Sequence, residues 1–311
     1  MNTETLSASS TEARLYGVSL SPRFQRDGIG WENVSLRVGH ISYANCTPLF
    51  TALQENFDCS AYRFIHGVPS RLNLLLSEGK IELSPSSSIE YGRSPGKYLL
   101  LPDLSISADG PVKSVMLFSR IPLEMLDGKS VCLTSESETS IALLKIILKK
   151  YYGFTNIFRT MRVSELSDAF RVCPAVLVIG DTALKCASSN LSLYQYDLGD
   201  VWHSLTGLPF VFALWIVRKE AADAKFTEVV QISKQLKEAK EIAVSSLDRI
   251  AEKCSERTWM DLDALVLYWR TISYDLSYRH VAGVKAFFRG ATEVGILSEA
   301  PEIRLFNGSR E

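Results

Sequence analysis

Two hydroxyl-rich stretches lie where the sequence predicts the end of a strand and the start of a helix. Ser86 and Ser87 follow a predicted strand, and Thr139 and Ser140 precede the predicted helix Ile141–Tyr152. A helix start carries unpaired N–H groups and a partial positive charge, so hydroxyls there can bind an anion. The alternative is that these residues only cap the helices.

An asparagine lies at a third strand-to-helix junction. Asn45 follows the first predicted strand, and Thr47-Pro48 indicates the start of the next helix. Gly180 and Asp181 follow the predicted strand Ala175–Ile179 in the same way. Ligands bind at the carboxyl ends of strands in open α/β sheets, so these positions are exposed to any cleft. A turn-forming role for Asn45 is the alternative.

Motifs for nucleotide, metal or nucleophilic chemistry are absent from the sequence, including G-x-G-x-x-G, the P-loop and G-x-S-x-G. The histidines His40, His66, His203 and His280 are far apart and favour structural roles. Six cysteines form no C-x-x-C pair and are typical of free thiols in a reducing compartment. We therefore expect no metal and no cofactor. The first 35 residues lack a secretory signal pattern, so we expect a cytoplasmic location.

The overall composition is that of a globular protein, with 46% apolar and 22% charged residues. A net charge of -1 provides no basic surface for nucleic acid or an anionic membrane, so we expect neither as a partner. Because the chain has 311 residues, it exceeds one typical domain of about 100–150 residues. Two lobes are therefore predicted.

Two apolar segments have the character of connections between such lobes. Val112–Ser119 and Gly207–Val217 each begin at a Gly or Pro turn signal and are too short to span a bilayer. We interpret them as crossover strands of a two-lobed α/β fold with a ligand cleft between the lobes. The alternative is that both are core strands of one large sheet. The predicted units are a mobile extension (1–33), lobe I (34–118 and 210–311) and lobe II (119–209).

Hydrophobic periodicity predicts an alternation of strands and helices elsewhere. Further strands are predicted at Val34–Ile41, Ala61–Ile65, Lys80–Leu83, Lys97–Leu101, Lys129–Leu133, Asn156–Thr160 and Leu193–Asp197. Further helices are predicted from Pro69 to Gly79 and over Val163–Arg171, Asp200–Leu205, Lys219–Cys254 with one break, Met260–Ile272 and Tyr278–Val294.

Several short motifs occur in a fixed order between Leu36 and Phe306. They are Arg37–Leu49, Ser87–Tyr91, Leu101–Ile106, Gly110–Val115, Thr139-Ser140, Ile179–Asp181, Gly207–Ala213 and Tyr274–Leu276. Together they resemble the chorismate dehydratases of the futalosine route to menaquinone. The resemblance implies a fold like that of type II periplasmic binding proteins, a cytoplasmic enzyme without a cofactor, and chorismate as substrate. The chain is expected to be a monomer or a homodimer.

The resemblance also implies roles for individual residues. It assigns catalysis to Asn45 and Ser114, and substrate binding to Ser86, Ser87, Thr139, Ser140, Gly180 and Asp181. In the sister family, the dihydroxynaphthoate synthases, a histidine base follows the strand equivalent to Ala175–Ile179. This chain has Gly180-Asp181 there, which favours the dehydratase. A naphthoate synthase-like enzyme and a non-catalytic solute-binding module remain alternatives.

Loss of water across C3 and C4 of chorismate gives an aromatic ring, so the protein must mainly orient the substrate and assist proton transfer. We hypothesise that Ser87 and the Thr139-Ser140 pair hold the two carboxylates. Asn45 and Ser114 then hydrogen-bond the departing hydroxyl or the developing charge. Because the sequence offers no well-placed base, the substrate's own side-chain carboxylate is predicted to remove the C3 proton.

Overall fold

Ten strands and twelve α-helices can be assigned in the computed structural model, which describes residues 36–162, 166–189 and 192–309. The strands are β1 (Leu36–Ile41), β2 (Tyr62–Gly67), β3 (Leu83–Ser87), β4 (Tyr98–Ala108), β5 (Val115–Ser119), β6 (Ser130–Thr134), β7 (Ile157–Met161), β8 (Ala175–Ile179), β9 (Tyr194–Asp197) and β10 (Phe210–Arg218). The helices are α1 (Thr47–Asn56), α2 (Pro69–Ser77), α3 (Ser88–Arg93), α4 (Glu138–Ile146), α5 (Leu166–Ala169), α6 (Gly180–Ala187), α7 (Leu198–Thr206), α8 (Lys219–Ala224), α9 (Phe226–Ser245), α10 (Leu247–Ala251), α11 (Leu262–Trp269) and α12 (Tyr278–Glu293). The predicted extension 1–33 lies outside the described residues, as do the first three residues of the predicted helix Val163–Arg171.

The strands form two separate mixed sheets of five strands each. The first sheet has the order β2-β1-β3-β10-β4, and the second has the order β7-β6-β8-β5-β9. In the first, β1 lies parallel to β2 and β3, whereas β10 runs antiparallel to β3 and β4. In the second, β6 lies parallel to β7 and β8, whereas β5 runs antiparallel to β8 and β9. Two sheets exclude the alternative of one large sheet.

The chain passes between the sheets twice. It leaves the first sheet at Ala108, enters the second at Val115, and returns to the first at Phe210. The two-lobed α/β prediction is therefore confirmed. One detail differs: residues 115–118, which were predicted within lobe I, pair with β8 and β9 in the second sheet.

The first connection is fixed by a carboxylate at the end of β9. Asp197 accepts hydrogen bonds from the N–H groups of Val112 (3.0 Å) and Lys113 (2.6 Å), and it also caps α7. Lys113 has a φ of 61°, a left-handed conformation that an L-residue adopts only when its surroundings hold it there. This backbone anchor sets the position of the next residue, Ser114.

Helices from the C-terminal part of the chain cover the first sheet. The α12 residue Phe287 packs edge-on against Phe210 of β10, with ring centroids 5.1 Å apart, and Trp202 of α7 also packs edge-on against Phe210. The long predicted helix Lys219–Cys254 is interrupted twice, at Lys225 and at Ser246, rather than once. Across the described ranges, no helix combines the length and apolar content that crossing a membrane requires. The six cysteines are free thiols.

Candidate active site between the two sheets

A narrow pocket lies between the two sheets, at the carboxyl ends of β1, β3 and β8. It contains about 490 Å³ of space, part of it open to solvent. The lining residues are Ile41, Tyr43, Asn45, Pro69, Ser87, Ile106, Val112, Ser114, Val115, Ser137, Ser140, Ile179, Gly180, Phe212 and Ala213. Within the described part of the chain, this lining includes no histidine, carboxylate, lysine or arginine. The pocket therefore offers apolar walls and neutral hydrogen-bonding groups.

Asn45 enters the pocket from a tight turn after β1. The Cys46 N–H donates to the Tyr43 carbonyl oxygen at 2.9 Å, which puts Ala44 and Asn45 at the two central positions of the turn. The Asn45 Oδ1 is buried and has no hydrogen-bond partner among the described residues. An unpartnered buried amide oxygen is costly unless a ligand or water satisfies it, so Asn45 is available to a bound molecule.

Ser114 lies directly before β5, on the connection between the sheets. Its hydroxyl makes a long contact of 3.4 Å with the Val112 carbonyl oxygen, and its own carbonyl oxygen accepts the Gly180 N–H at 2.8 Å. The side chain is buried, and the phenol of Tyr268 lies beside it. The Val112 contact is long and the Tyr268 phenol shares a hydrogen bond with Ser114, so a molecule in the pocket would compete with these two groups for the Ser114 hydroxyl.

The start of α4 supplies two further hydroxyls. Ser137 is the N-cap of this helix: its Oγ accepts the Ser140 N–H at 3.3 Å and lies 3.0 Å from the Ser140 Oγ. The helix thus begins three residues before the predicted Ile141, and the hydroxyls of Ser137 and Ser140 both face the pocket. The first-turn N–H groups have no intrahelical acceptor and add positive potential there.

A second helix start meets α4 at the pocket. Strand β3 runs to Ser87, beyond the predicted end at Leu83, and Ser87 is the N-cap position of α3. The Ser87 Oγ is buried without a partner among the described residues, while its N–H donates to Asn73 Oδ1 at 3.1 Å. The Ile89 N–H donates to Thr139 Oγ1 at 3.2 Å, so the starts of α3 and α4 contact each other.

Direct contacts join the two lobes beside the pocket. The Tyr43 hydroxyl donates to Glu136 Oε2 at 2.8 Å, and the Ser70 N–H donates to the Glu136 carbonyl oxygen at 3.0 Å. Burial, together with the negative charge of Glu136, raises the pKa of Tyr43, so its phenol stays protonated. Gly180 has a φ of 60°, and a Cβ there would lie 2.8 Å from the Tyr43 ring, so this position requires glycine.

The structure brings five of the predicted site residues to one pocket and leaves three behind its wall. Asn45, Ser87, Ser114, Ser140 and Gly180 line the pocket. Behind the wall, Thr139 bonds to the Ile89 N–H, Asp181 bonds to the Ala44 N–H, and the buried Ser86 Oγ has no partner among the described residues. No metal-binding group of His, Cys, Asp or Glu side chains is found in the described ranges.

Three polar or aromatic lining residues were not predicted: Tyr43, Ser137 and Phe212. Ser137 had a signal in the sequence, because serine is a favoured N-cap residue before an apolar helical run. Tyr43 and Phe212 had none, since the strands that position them, β1 and β10, come into one sheet only through pairing that is distant along the chain.

Comparisons with known proteins agree with this architecture. A family model described as menaquinone biosynthesis matches residues 36–293. A chorismate dehydratase from Thermus thermophilus is 34% identical over 260 residues, covering 79% of this chain and 91% of that protein.

Solved structures are similar at the level of the fold. A crystal structure of a protein from Archaeoglobus fulgidus superimposes with a TM-score of 0.71 at 18% identity, covering 86% of this chain and 100% of the other. The periplasmic aliphatic sulphonate binding protein SsuA from Escherichia coli has a TM-score of 0.59 at 12% identity, covering 89% of this chain and 94% of the other. The predicted likeness to periplasmic binding proteins is confirmed.

Proposed function

Because the chain belongs to the menaquinone biosynthesis family, we propose that it is a chorismate dehydratase, a hydro-lyase that converts chorismate to 3-[(1-carboxyvinyl)oxy]benzoate. The observation that carries the proposal is the chemistry of the pocket. One pocket is lined by the polar residues Asn45, Ser87, Ser114, Ser137 and Ser140, and the described lining has no charged side chain.

The pocket suits a molecule with two carboxylates. The α4 start offers the hydroxyls of Ser137 and Ser140 and the positive end of the helix, and β3 offers the unpartnered hydroxyl of Ser87. Hydroxyls and helix starts bind anions without a permanent positive charge. The apolar residues Ile106, Val112 and Phe212 can pack against the faces of a six-membered carbon ring.

The remaining polar groups suit an elimination. The C3–H bond and the C4–O bond of chorismate break, a double bond completes the aromatic ring, and the hydroxyl leaves as water. Asn45 and Ser114 hydrogen-bond the departing oxygen and so stabilise the charge that develops on it. The Tyr43 phenol is held protonated by Glu136, so it is a poor base. The side-chain carboxylate of the substrate therefore takes the C3 proton and passes it to the departing hydroxyl, so that water leaves and the carboxylate is regenerated.

A naphthoate synthase-like activity fits the pocket less well. Position 180 is a glycine whose conformation and closeness to the Tyr43 ring exclude a larger side chain, and the Asp181 carboxylate bonds to the Ala44 N–H. No imidazole lies in the described lining to act as a base.

Incubation of the purified protein with chorismate tests the proposal. We expect chorismate to be lost and a product one water lighter to appear with a benzoate-type ultraviolet spectrum, which mass spectrometry identifies. Binding of chorismate without any product would indicate a solute-binding module, and absence of both would contradict the proposal. A cytoplasmic location and a monomeric or homodimeric state stay predictions.

A further inference from the structure

We propose that Asp181 is a positioning residue that couples closure of the pocket to the placement of Asn45. This inference rests on the proposed function and deepens it. It differs from the substrate-binding role that the sequence resemblance implies for Asp181.

The turn that carries Asn45 is held from two directions. From the C-terminal helical region, the Trp269 Nε1–H donates to the Ala44 carbonyl oxygen at 2.7 Å, and the Tyr274 hydroxyl donates to the Asn45 carbonyl oxygen at 2.8 Å. From the second sheet, Asp181 Oδ1 accepts the Ala44 N–H at 3.0 Å. The carbonyls and the N–H of one turn are therefore fixed by different lobes.

Asp181 bridges the two lobes behind the pocket wall because of where it lies. It is in the first turn of α6, directly after β8, whereas Ala44 follows β1 in the first sheet. If the two sheets moved apart, the Ala44 N–H would lose this acceptor while the contacts of Trp269 and Tyr274 would remain. Asn45 would then keep its place in the chain but lose one constraint on the orientation of its peptide and side chain.

A direct role for Asp181 in substrate binding is disfavoured by charge and geometry. The oxygen nearest the turn is engaged by Ala44, and the side chain does not line the pocket. A carboxylate that faced the carboxylates of chorismate would repel them. Burial raises the pKa of Asp181, but either protonation state can accept the Ala44 N–H, so the proposed role does not depend on its charge.

The test compares Asp181→Ala with Asp181→Asn in steady-state kinetics with chorismate. The alanine variant has no acceptor, so kcat is expected to fall roughly 10- to 100-fold, as for a small misplacement of a reacting group. The asparagine variant keeps an acceptor of the same shape, and we expect it to recover most of kcat. If the alanine variant does not fold, Asp181→Ser replaces it, since its hydroxyl is too short to reach Ala44.

A double-mutant cycle with Asn45→Ala shows whether Asp181 acts through Asn45. When Asn45 is already absent, Asp181→Ala should lower kcat by less than about twofold, because coupled residues are not additive. The matched control is Arg93→Ala, which removes a different contact between the lobes, the Arg93–Glu138 ion pair of α3 and α4, without touching the turn. This control should keep kcat within about twofold of wild type.

The outcomes separate the two proposals. If the wild-type protein does not dehydrate chorismate, the proposed function fails. If the wild type is active, the positioning role is overturned by an unchanged kcat in Asp181→Ala or by an effect confined to KM. A full additive loss in the Asn45→Ala background overturns it as well.

Discussion

Unpartnered polar atoms mark the individual residues that a ligand would contact. The Asn45 Oδ1 and the Ser87 Oγ are both buried without a hydrogen-bond partner among the described residues, and both residues line the pocket. Each such group costs about 1–3 kcal/mol when it stays unsatisfied. A folded protein that keeps two of them in one pocket is prepared to bind a molecule rich in oxygen atoms.

Removal of either proposed catalytic group should slow the reaction strongly. Asn45→Ala and Ser114→Ala are each expected to lower kcat by about 10²- to 10³-fold, because each removes one oriented hydrogen bond to the departing oxygen. The control is Ser119→Ala at the far end of β5, where the hydroxyl donates to the Ile121 carbonyl oxygen away from the pocket. Steady-state kinetics decide the matter, and a loss below tenfold in both pocket variants would contradict the roles.

His40 gives the protein a predictable response to acid. Its ring stacks on Phe50 with centroids 3.7 Å apart, and burial, together with the neighbouring His66, lowers the pKa of His40 to about 3. The unfolded chain takes up a proton below pH ~6.5 while the folded chain does not, so stability falls as the pH drops from ~6.5 towards 3.

We expect His40→Phe to reduce this acid sensitivity. Between pH 7 and 5, the free energy of unfolding of the wild type should fall by up to about 2 kcal/mol more than that of the variant. Urea denaturation at the two pH values measures this difference. An equal loss of unfolding free energy in both proteins would show that folding does not lower the pKa of His40, which would contradict this prediction.

Helix starts and strand ends form the pocket. The sequence predicted which helices and strands are present, but it placed some of their first and last residues wrongly. The hydroxyl-rich stretches and the Asn45 junction were found because such residues favour helix starts. Strand β3 extends to Ser87 because Ser84–Ser87 pair with β10, a contact more than a hundred residues away along the chain. Such pairing overrides the low strand preference of serine and proline, and local sequence cannot reveal it.

The N-cap of α4 should support both the helix and the substrate. Ser137→Ala is expected to lower the free energy of unfolding by about 1 kcal/mol, and it should also raise KM for chorismate because a pocket hydroxyl is lost. Asp261→Ala is the matched control, since Asp261 caps α11 through the Ala264 N–H at 2.9 Å and does not line the pocket. The control should lose similar stability with little change in KM. Equal KM values in both variants would contradict a role for Ser137 in binding.

The whole molecule is closed around the pocket by contacts between its two lobes. Tyr43, Ala44 and Ser70 from the first lobe bond to Glu136 and Asp181 of the second. The two-lobed arrangement was predictable, because the turn signals and short apolar segments at 112–119 and 207–217 marked where the chain crosses. The aromatic part of the wall was not predictable, since Tyr43 follows β1 and Phe212 lies in β10, strands that come into one sheet only through long-range pairing.

Loss of one contact between the lobes should weaken binding more than turnover. Tyr43→Phe keeps the ring that packs on Gly180 but removes the hydroxyl that bonds to Glu136, so the closed form becomes less favourable. We expect KM to rise roughly 3- to 10-fold, the equivalent of about one hydrogen bond, with a small change in kcat. Tyr196→Phe is the matched control, because its hydroxyl accepts the Leu123 N–H within the second lobe. Similar KM values in the two variants would argue against a role of this contact in closure.

The most direct test is proton NMR of chorismate mixed with the wild-type protein and, in parallel, with the folded double variant Asn45→Ala, Ser114→Ala. We expect the wild type to convert the cyclohexadiene signals into those of a substituted benzoate, while the double variant leaves chorismate essentially unchanged over the same period. Absence of aromatic signals with the wild type, or their appearance at the same rate with both proteins, would contradict dehydration in this pocket.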